Sequence, residues 1–304
     1  MTKVALLGAR GQIARGLVED LPQDWRLDLF SRDPKPPHPE AAARGAPVLP
    51  YGQFAAGAYD LVVNAAGPGD PSVQRANGGA VLRIIETFDN LVLDYLRTHP
   101  ATGYINMSTG AVYGKEYHAA VGKPVYELNV KDLGKTNAYA LAKLVAETKH
   151  RHAPDLHIAD LRIFGYFSRR MELASGFFMA QVMEHLRGGR PFHTGPADFV
   201  RDFIAPEDLA AHIVSLFEAG VPNSYFDAVS ARPVTKFEIL EALGDRFGLR
   251  YIIEGGEPIR LERPIAVVLA QDGINHPVLQ SRITSRQVVL REAGALCSGA
   301  RDGA

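Results

Sequence analysis

Residues 4–14 read Val4-Ala5-Leu6-Leu7-Gly8-Ala9-Arg10-Gly11-Gln12-Ile13-Ala14. Four apolar residues run into a glycine, a second glycine follows three positions later, and spaced apolar residues continue to Leu21. The pattern predicts a short buried strand, a tight turn and a helix. The same order recurs downstream. Residues 27–30 open a second strand, a Pro-rich surface stretch covers 34–39, 59–67 is a buried strand entering a turn, and 81–97 is a long amphipathic segment. A strand at 104–107, a helix from Tyr139 to about residue 150 and a strand at 157–164 complete the alternation. Short apolar strands alternating with helices predict right-handed crossovers and an α/β, doubly wound parallel sheet covered on both faces. Ligands of such sheets bind beyond the carboxyl ends of the strands, and Gly8, Asn64 and Thr109 each fall just after one.

From residue 168 the pattern loosens. Helices are predicted at 177–187, 208–218 and 236–247, a turn at 188–191, irregular chain at 258–280 and a disordered end at 298–304. With 304 residues the chain can bury a large core. Hydrophobic residues make up 46% and charged residues 22%, and 33 Lys plus Arg nearly balance 34 Asp plus Glu. That balance gives no reason to expect a nucleic-acid or anionic-membrane surface and points to a small-molecule partner. Cys297 is the single cysteine, so an intrachain disulfide is impossible and a reducing compartment fits. The apolar start is interrupted too early for a signal peptide, and no apolar run approaches the roughly 20 residues of a membrane span. The expectation is a cytoplasmic protein.

Gly8, Gly11 and Ala14 give Gly-x-x-Gly-x-x-Ala at the first strand-to-helix turn, where glycines permit close approach of a pyrophosphate to a helix N-terminus. Gly8, Arg10, Gly11, Gln12 and Ile13 are therefore candidate dinucleotide-binding residues. The second strand exits through Phe30-Ser31-Arg32-Asp33. Ser31 and Arg32 stand where a ribose would lie, and a basic residue there accommodates a 2′-phosphate, which favours NADP(H) over NAD(H). The alternative is a solvated arginine.

Tyr139 and Lys143 sit in Asn137-Ala138-Tyr139-Ala140-Leu141-Ala142-Lys143, with Tyr139 thirty residues after Thr109. On a helix, a four-residue spacing stacks phenol and ammonium on one face. The cation favours phenolate, which an unperturbed tyrosine with a pKa of about 10 scarcely forms at neutrality. Such a pair equips a site for carbonyl and alcohol chemistry, although two exposed helical residues would give the same spacing. The ten histidines show no metal-binding spacing, and His150 and His152 read as solvated or packing residues. Residues 177–183, rich in Phe and Met, read as a buried helix face.

In this order the motifs resemble those of the extended short-chain dehydrogenase/reductase family, specifically its nucleotide-sugar epimerases, dehydratases and reductases. The match runs through the glycine turn, residues 60–66, 108–114, Tyr139 with Lys143, 161–164 and 201–210. The resemblance implies a Rossmann-like cofactor domain over 1–165, to which the chain returns at about 201–228. It also implies a smaller α+β substrate domain from 166–200 and 229–304. Asn64, Ala65 and Ala66 join the cofactor set, together with Tyr139 and Lys143. Thr109, Tyr139 and Lys143 become the catalytic set: Thr109 bonds the reacting oxygen, Tyr139 exchanges its proton, and Lys143 holds the nicotinamide ribose while lowering the tyrosine pKa. Ser108, Thr109 and Arg201 are the implied contacts to a nucleoside-diphosphate sugar. Arg201 would grip the diphosphate, or else form a structural salt bridge to Asp202 or Asp208.

Two departures bear on the reaction. Sugar 4,6-dehydratases carry Asp and Glu after the catalytic Thr, whereas Thr109 is followed by Gly110 and Ala111, which argues against dehydration. Gly165 stands where many members have an Asn that holds the nucleotide, so Tyr166, Phe167, Ser168 or Arg169 are candidates to share that work. Arg169 and Arg170 themselves read as a surface pair, with contact to phosphates as the alternative. The NADPH preference favours a 4-ketoreductase acting on an NDP-4-keto-6-deoxy sugar, because cells keep that pool reduced. A 4-epimerase is the alternative, and a non-catalytic NADP-binding sensor is a third reading. The resemblance also implies a homodimer through residues 81–97 and 139–150.

Overall fold

In the computed structural model, which describes residues 1–35, 37–118, 128, 130–259 and 278–298, Lys3–Leu7 forms β1 and Gln12–Asp20 forms α1. The chain continues through β2 (Arg26–Ser31), α2 (Pro39–Arg44), β3 (Val48–Pro50) and β4 (Leu61–Asn64). Next come α3 (Pro71–Asn77), α4 (Ala80–Leu96), β5 (Gly103–Thr109), α5 (Ala138–Arg151) and β6 (Ile158–Ile163). The later part holds α6 (Phe178–Arg187), β7 (Phe192–Thr194), β8 (Val200–Arg201), α7 (Pro206–Glu218) and β9 (Ser224–Val229). It closes with β10 (Val234–Thr235), α8 (Lys236–Phe247), β11 (Tyr251–Ile253), β12 (Val278–Gln280) and α9 (Ser285–Ser298).

Eight strands form one sheet in the order β12, β9, β6, β5, β4, β1, β2, β3, and every pair is parallel. The expected Rossmann-like doubly wound fold is the fold observed. Alternate residues of β1 feed two cores: Val4 and Leu6 pack with Leu17 of α1 and Ile213 of α7, while Ala5 and Leu7 join Phe54, Val92 of α4 and Tyr104. A strand buried on both faces reads as an unbroken apolar run, which is why the sheet shows in the sequence. The order reverses at β1, which lies between β2 and β4, and this opens the crevice above the strand ends. A further core joins Phe167, Met179 and Met183 to Phe237 and Leu240 of α8 and Val288 of α9. Two small sheets flank it, β8 antiparallel to β10 and β7 parallel to β11.

Three local expectations are corrected. The irregular stretch at 258–280 ends in β12, which pairs with β9 at the sheet edge, and residues 260–277 lie outside the described residues. Within the Pro-rich surface stretch Pro39 begins α2, with the His38 ring accepting from the Ala41 amide as its cap. Proline is well suited to a first helical position, because its missing N–H would have no intrahelical partner there. The polar end at 298–304 contributes Ser298 to α9, while 299–304 lie outside the described residues.

His150 is fully buried, so its role is structural rather than solvated. Its Nε2 meets Asp89 of α4 at 2.8 Å and its Nδ1 meets Asp160 of β6 at 2.9 Å, so one ring ties α4, α5 and β6 together. Burial acts to lower its pKa, but the bonds to the Asp160 and Asp89 carboxylates prevail and raise it to about 9.

Candidate active site

The turn after β1 is shaped by Gly8, whose φ of 80° lies in the left-handed region. A Cβ there would stand 2.6 Å from the Ala65 carbonyl oxygen, so two strand ends approach as closely as they do only because residue 8 has no side chain. The Gly8 and Ala9 amides donate to the Phe30 carbonyl at 3.0 Å, and the Gly11 amide donates to the Gly8 carbonyl at 2.8 Å. The positive end of α1 thus starts at Gln12 and Ile13, where Gly11 provides no side-chain cap and the first turn carries no acid. Gln12 and Ile13 border a cleft with Arg10, Gly11, Arg32 and Ala65. The side-chain Oε1 of Gln12 is buried without a hydrogen-bond partner. Arg10 donates to the Asp33 carbonyl at 2.6 Å, which brings its guanidinium to the end of the cleft that Arg32 also borders. Ser31 is buried and accepts from the Asp33 amide, shaping the strand exit. Asn64 is buried behind the cleft, accepting from the Ala66 amide and donating to the Tyr104 hydroxyl, both at 3.0 Å. It holds the turn that presents Ala65.

Thr109 ends β5, and its hydroxyl accepts from the Ala111 amide at 3.2 Å. The Asn137 side chain caps α5 by accepting from the Ala140 amide, which starts the helix so that Tyr139 lies in its first turn. Lys143, one turn on, is buried and donates through Nζ to the Met107 carbonyl of β5 at 2.6 Å. The expectation that Lys143 lowers the Tyr139 pKa meets a different arrangement. The ammonium is engaged by Met107, and burial pushes the Tyr139 phenol up to about 12. Burial lowers the Lys143 pKa in turn, against the carboxylates of Asp89, Asp160 and Glu147. The phenol therefore keeps its proton at neutral pH.

Thr109, Tyr139, the α1 terminus, Arg32 and Arg201 all line one cleft of about 590 Å³, within the size range of small-molecule sites. Arg201, on β8, lays its guanidinium 4.1 Å over the Phe199 ring and donates to the Val200 carbonyl. Of the two neighbouring acids, Asp202 accepts from the Ser230 amide and Asp208 from the Arg282 amide. Ser108 also borders the cleft, but its hydroxyl donates to Glu147 at 2.5 Å. The remaining wall was not anticipated as such. Phe164, Met171, Phe177 and Phe178 line it, while Met179, Val182 and Met183 form the buried helix face expected for that segment. Asp70 is a further missed residue; its carboxylate accepts from the Gly176 amide at 3.0 Å and pins residues 175–177 beside the cleft.

The sequence model of the NAD dependent epimerase/dehydratase family matches residues 4–227. The chain belongs to this family. Its cofactor is NAD(P). No curated protein matches in sequence. Solved structures match in fold. UDP-glucose 4-epimerase from Thermotoga maritima, with UDP-glucose, is 14% identical with a TM-score of 0.74 over 98% of this chain and 99% of its own. UDP-glucose 4-epimerase from Bifidobacterium longum, in complex with NAD+ and UDP, is 16% identical with a TM-score of 0.71 over 99% of each chain. RMD from Pseudomonas aeruginosa, complexed with NADPH, is 17% identical with a TM-score of 0.70 over 98% and 100%.

A Cβ on Gly165 would lie 2.4 Å from the Asp202 carbonyl oxygen, so a side chain at this position, such as the asparagine many members carry, requires the backbone around Asp202 to shift. Of the residues suggested to take over its work, Tyr166 borders the cleft, Phe167 and Ser168 are buried, and Arg169 pairs with Glu19 and Glu292. Arg170 pairs with Glu19 and Glu40 and still reaches the cleft wall, so the two arginines are more than a surface pair. No helix among the described residues is long and apolar enough to cross a membrane.

Proposed function

We propose that this family member uses NADPH to reduce the 4-keto group of a nucleoside-diphosphate 4-keto-6-deoxy sugar. The observation that carries the reading is the Tyr139 phenol sharing a cleft with Thr109, the α1 terminus and Arg201. The residues present fit the cofactor. Gly11 borders the cleft without a side chain, Gln12 offers an unpartnered buried oxygen that can accept from a hydroxyl or amide, and Gln12 and Ile13 present a positive helix end to a pyrophosphate. Arg10 and Arg32 at one end suit a 2′-phosphate, which favours NADP(H), with NAD(H) as the alternative. The P. aeruginosa RMD bound to NADPH supports the same choice.

When bound, the reduced nicotinamide supplies a hydride to the sugar carbonyl carbon. Thr109 donates a hydrogen bond to the carbonyl oxygen, and Tyr139 transfers its proton to that oxygen as negative charge develops there. An ammonium has three donors, so Lys143 can keep its bond to Met107 and still hold the nicotinamide ribose. Arg201 receives the diphosphate, and UDP-glucose in the T. maritima enzyme supports a nucleotide sugar as ligand. Phe164, Met171, Phe177 and Phe178 make an apolar wall that suits the methyl group of a 6-deoxy sugar.

A 4-epimerase would use the same three residues, and the T. maritima and B. longum neighbours are 4-epimerases. Following NADPH absorbance with a 4-keto-6-deoxy sugar nucleotide as substrate separates the two. We assign 1–165 and 201–228, with the edge strand β12 of the same sheet, to cofactor binding, and 166–200 and the rest of 229–304 to the sugar nucleotide. We place the protein in the cytoplasm as a homodimer through α4 and α5, where Leu82 and Val145 are exposed.

A further inference from the structure

Tyr139, Lys143 and Glu147 recur every four residues and form one stripe along α5. Two of the three grip consecutive residues of β5. Lys143 donates to the Met107 carbonyl at 2.6 Å, and Glu147 accepts from the Ser108 hydroxyl at 2.5 Å. The next residue of β5 is Thr109. Glu147 is only 4% exposed, and so is Ser108, so their bond is made out of water, where it is strong. The carboxylate is itself fixed: Arg162 of β6 donates to it through Nε at 3.1 Å and Nη2 at 2.5 Å. Arg162 also donates to the Tyr113 hydroxyl at 2.6 Å, and that hydroxyl donates to Asp227 of β9 at 2.9 Å. The guanidinium also lies against two aromatic rings, 3.8 Å from the Tyr225 centroid and 4.8 Å from that of Tyr113. Hence Glu147 has one orientation, and it sets where the end of β5 lies relative to α5.

We propose that Glu147 is a positioning residue that acts through Ser108 to hold Thr109 and Tyr139 at their working separation. The inference rests on the reading of Thr109 and Tyr139 as the reacting pair. It also gives Ser108 a role other than the substrate contact suggested by the family resemblance. Misplacing a reacting group by about 1 Å can lower a rate by roughly 100-fold without changing ligand affinity, so the signature is a kcat effect.

The test is steady-state kinetics of Ser108→Ala, Ser108→Thr, Glu147→Gln and the Ser108→Ala/Glu147→Gln double variant, with NADPH and a 4-keto-6-deoxy sugar nucleotide. Ser108→Ala should lower kcat about tenfold while KM for the sugar nucleotide and Kd for NADPH stay within about twofold. Ser108→Thr should restore kcat, and Ser108→Ala should cost nothing further in the Glu147→Gln background. A raised KM with unchanged kcat, or losses that multiply in the double variant, would overturn the proposal. Amide hydrogen exchange provides a readout without substrate: residues 107–111 should exchange about tenfold faster in Ser108→Ala, and unchanged exchange overturns the proposal. A wild-type protein that fails to turn over the sugar defeats the functional reading alone, because the exchange experiment still decides the coupling.

Discussion

The ring of Phe164 fills the space in which a side chain at Gly110 would stand: a Cβ there would come within 2.3 Å of the Phe164 Cδ1. Dehydratases of the family carry an acid directly after the catalytic threonine, and here the aromatic ring leaves no volume for one. Phe164 in turn stacks on Tyr113, with centroids 6.0 Å apart and planes inclined by 14°. Gly110→Asp should therefore destabilise the fold by about 1–3 kcal/mol through overpacking. Adding Phe164→Ala should recover part of that loss. Urea midpoints of the single and double variants check this, and a stable Gly110→Asp protein would contradict it.

Stability should also fall on the alkaline side. Bonds to Asp160 and Asp89 raise the pKa of His150 to about 9 in the folded protein, above the ordinary 6.5. The stabilisation from its charged form is complete below about pH 6.5 and is lost as the pH rises through about 9. His150→Gln should flatten this decline and cost roughly 3 kcal/mol at pH 6, since it removes the one buried cation that bridges Asp89 and Asp160 and leaves them only the more exposed Lys149 and Arg151. Denaturant titrations between pH 6 and 9.5 give the slope, and identical slopes for both proteins would refute the assignment.

Arg32 and Arg10 border the same end of the cleft. Arg32→Ala should weaken NADPH binding about tenfold or more, as expected for loss of a charge-assisted bond to a phosphate, and leave NADH binding nearly unchanged. Fluorescence titration with both cofactors measures this. A native preference for NADH would overturn the cofactor choice.

The Rossmann-like order was legible because each central strand is buried on both faces and so appears as an apolar run before a glycine or polar turn. β1 and the turn at Gly8, β4 with Asn64, and β5 with Thr109 were placed that way. Strands as short as β8 and β10, of two residues each, have no periodicity to detect, and β12 has three. At the site, the spacing of Tyr139 and Lys143 could be read locally, since one helical turn joins them. The bond from Lys143 to Met107 could not, because it crosses from α5 to β5. The packing of Phe164 on Gly110 likewise joins residues 54 positions apart, so Gly110 showed as an absent acid without its steric cause. Phe177 and Phe178 were read as part of a buried helix face because helical periodicity ignores where a helix begins. They stand at the start of α6, where the face turns into the cleft.

In the proposed reduction Tyr139 gives a proton once per NADPH consumed. Purified protein, NADPH and an NDP-4-keto-6-deoxy sugar generated by a 4,6-dehydratase are combined, and absorbance at about 340 nm is followed beside product formation. One NADPH should disappear per 6-deoxy sugar formed, and Tyr139→Phe should lower the rate by about 100-fold to 10,000-fold with NADPH affinity retained. Interconversion of sugar nucleotides without NADPH loss, or full activity in Tyr139→Phe, would contradict the account.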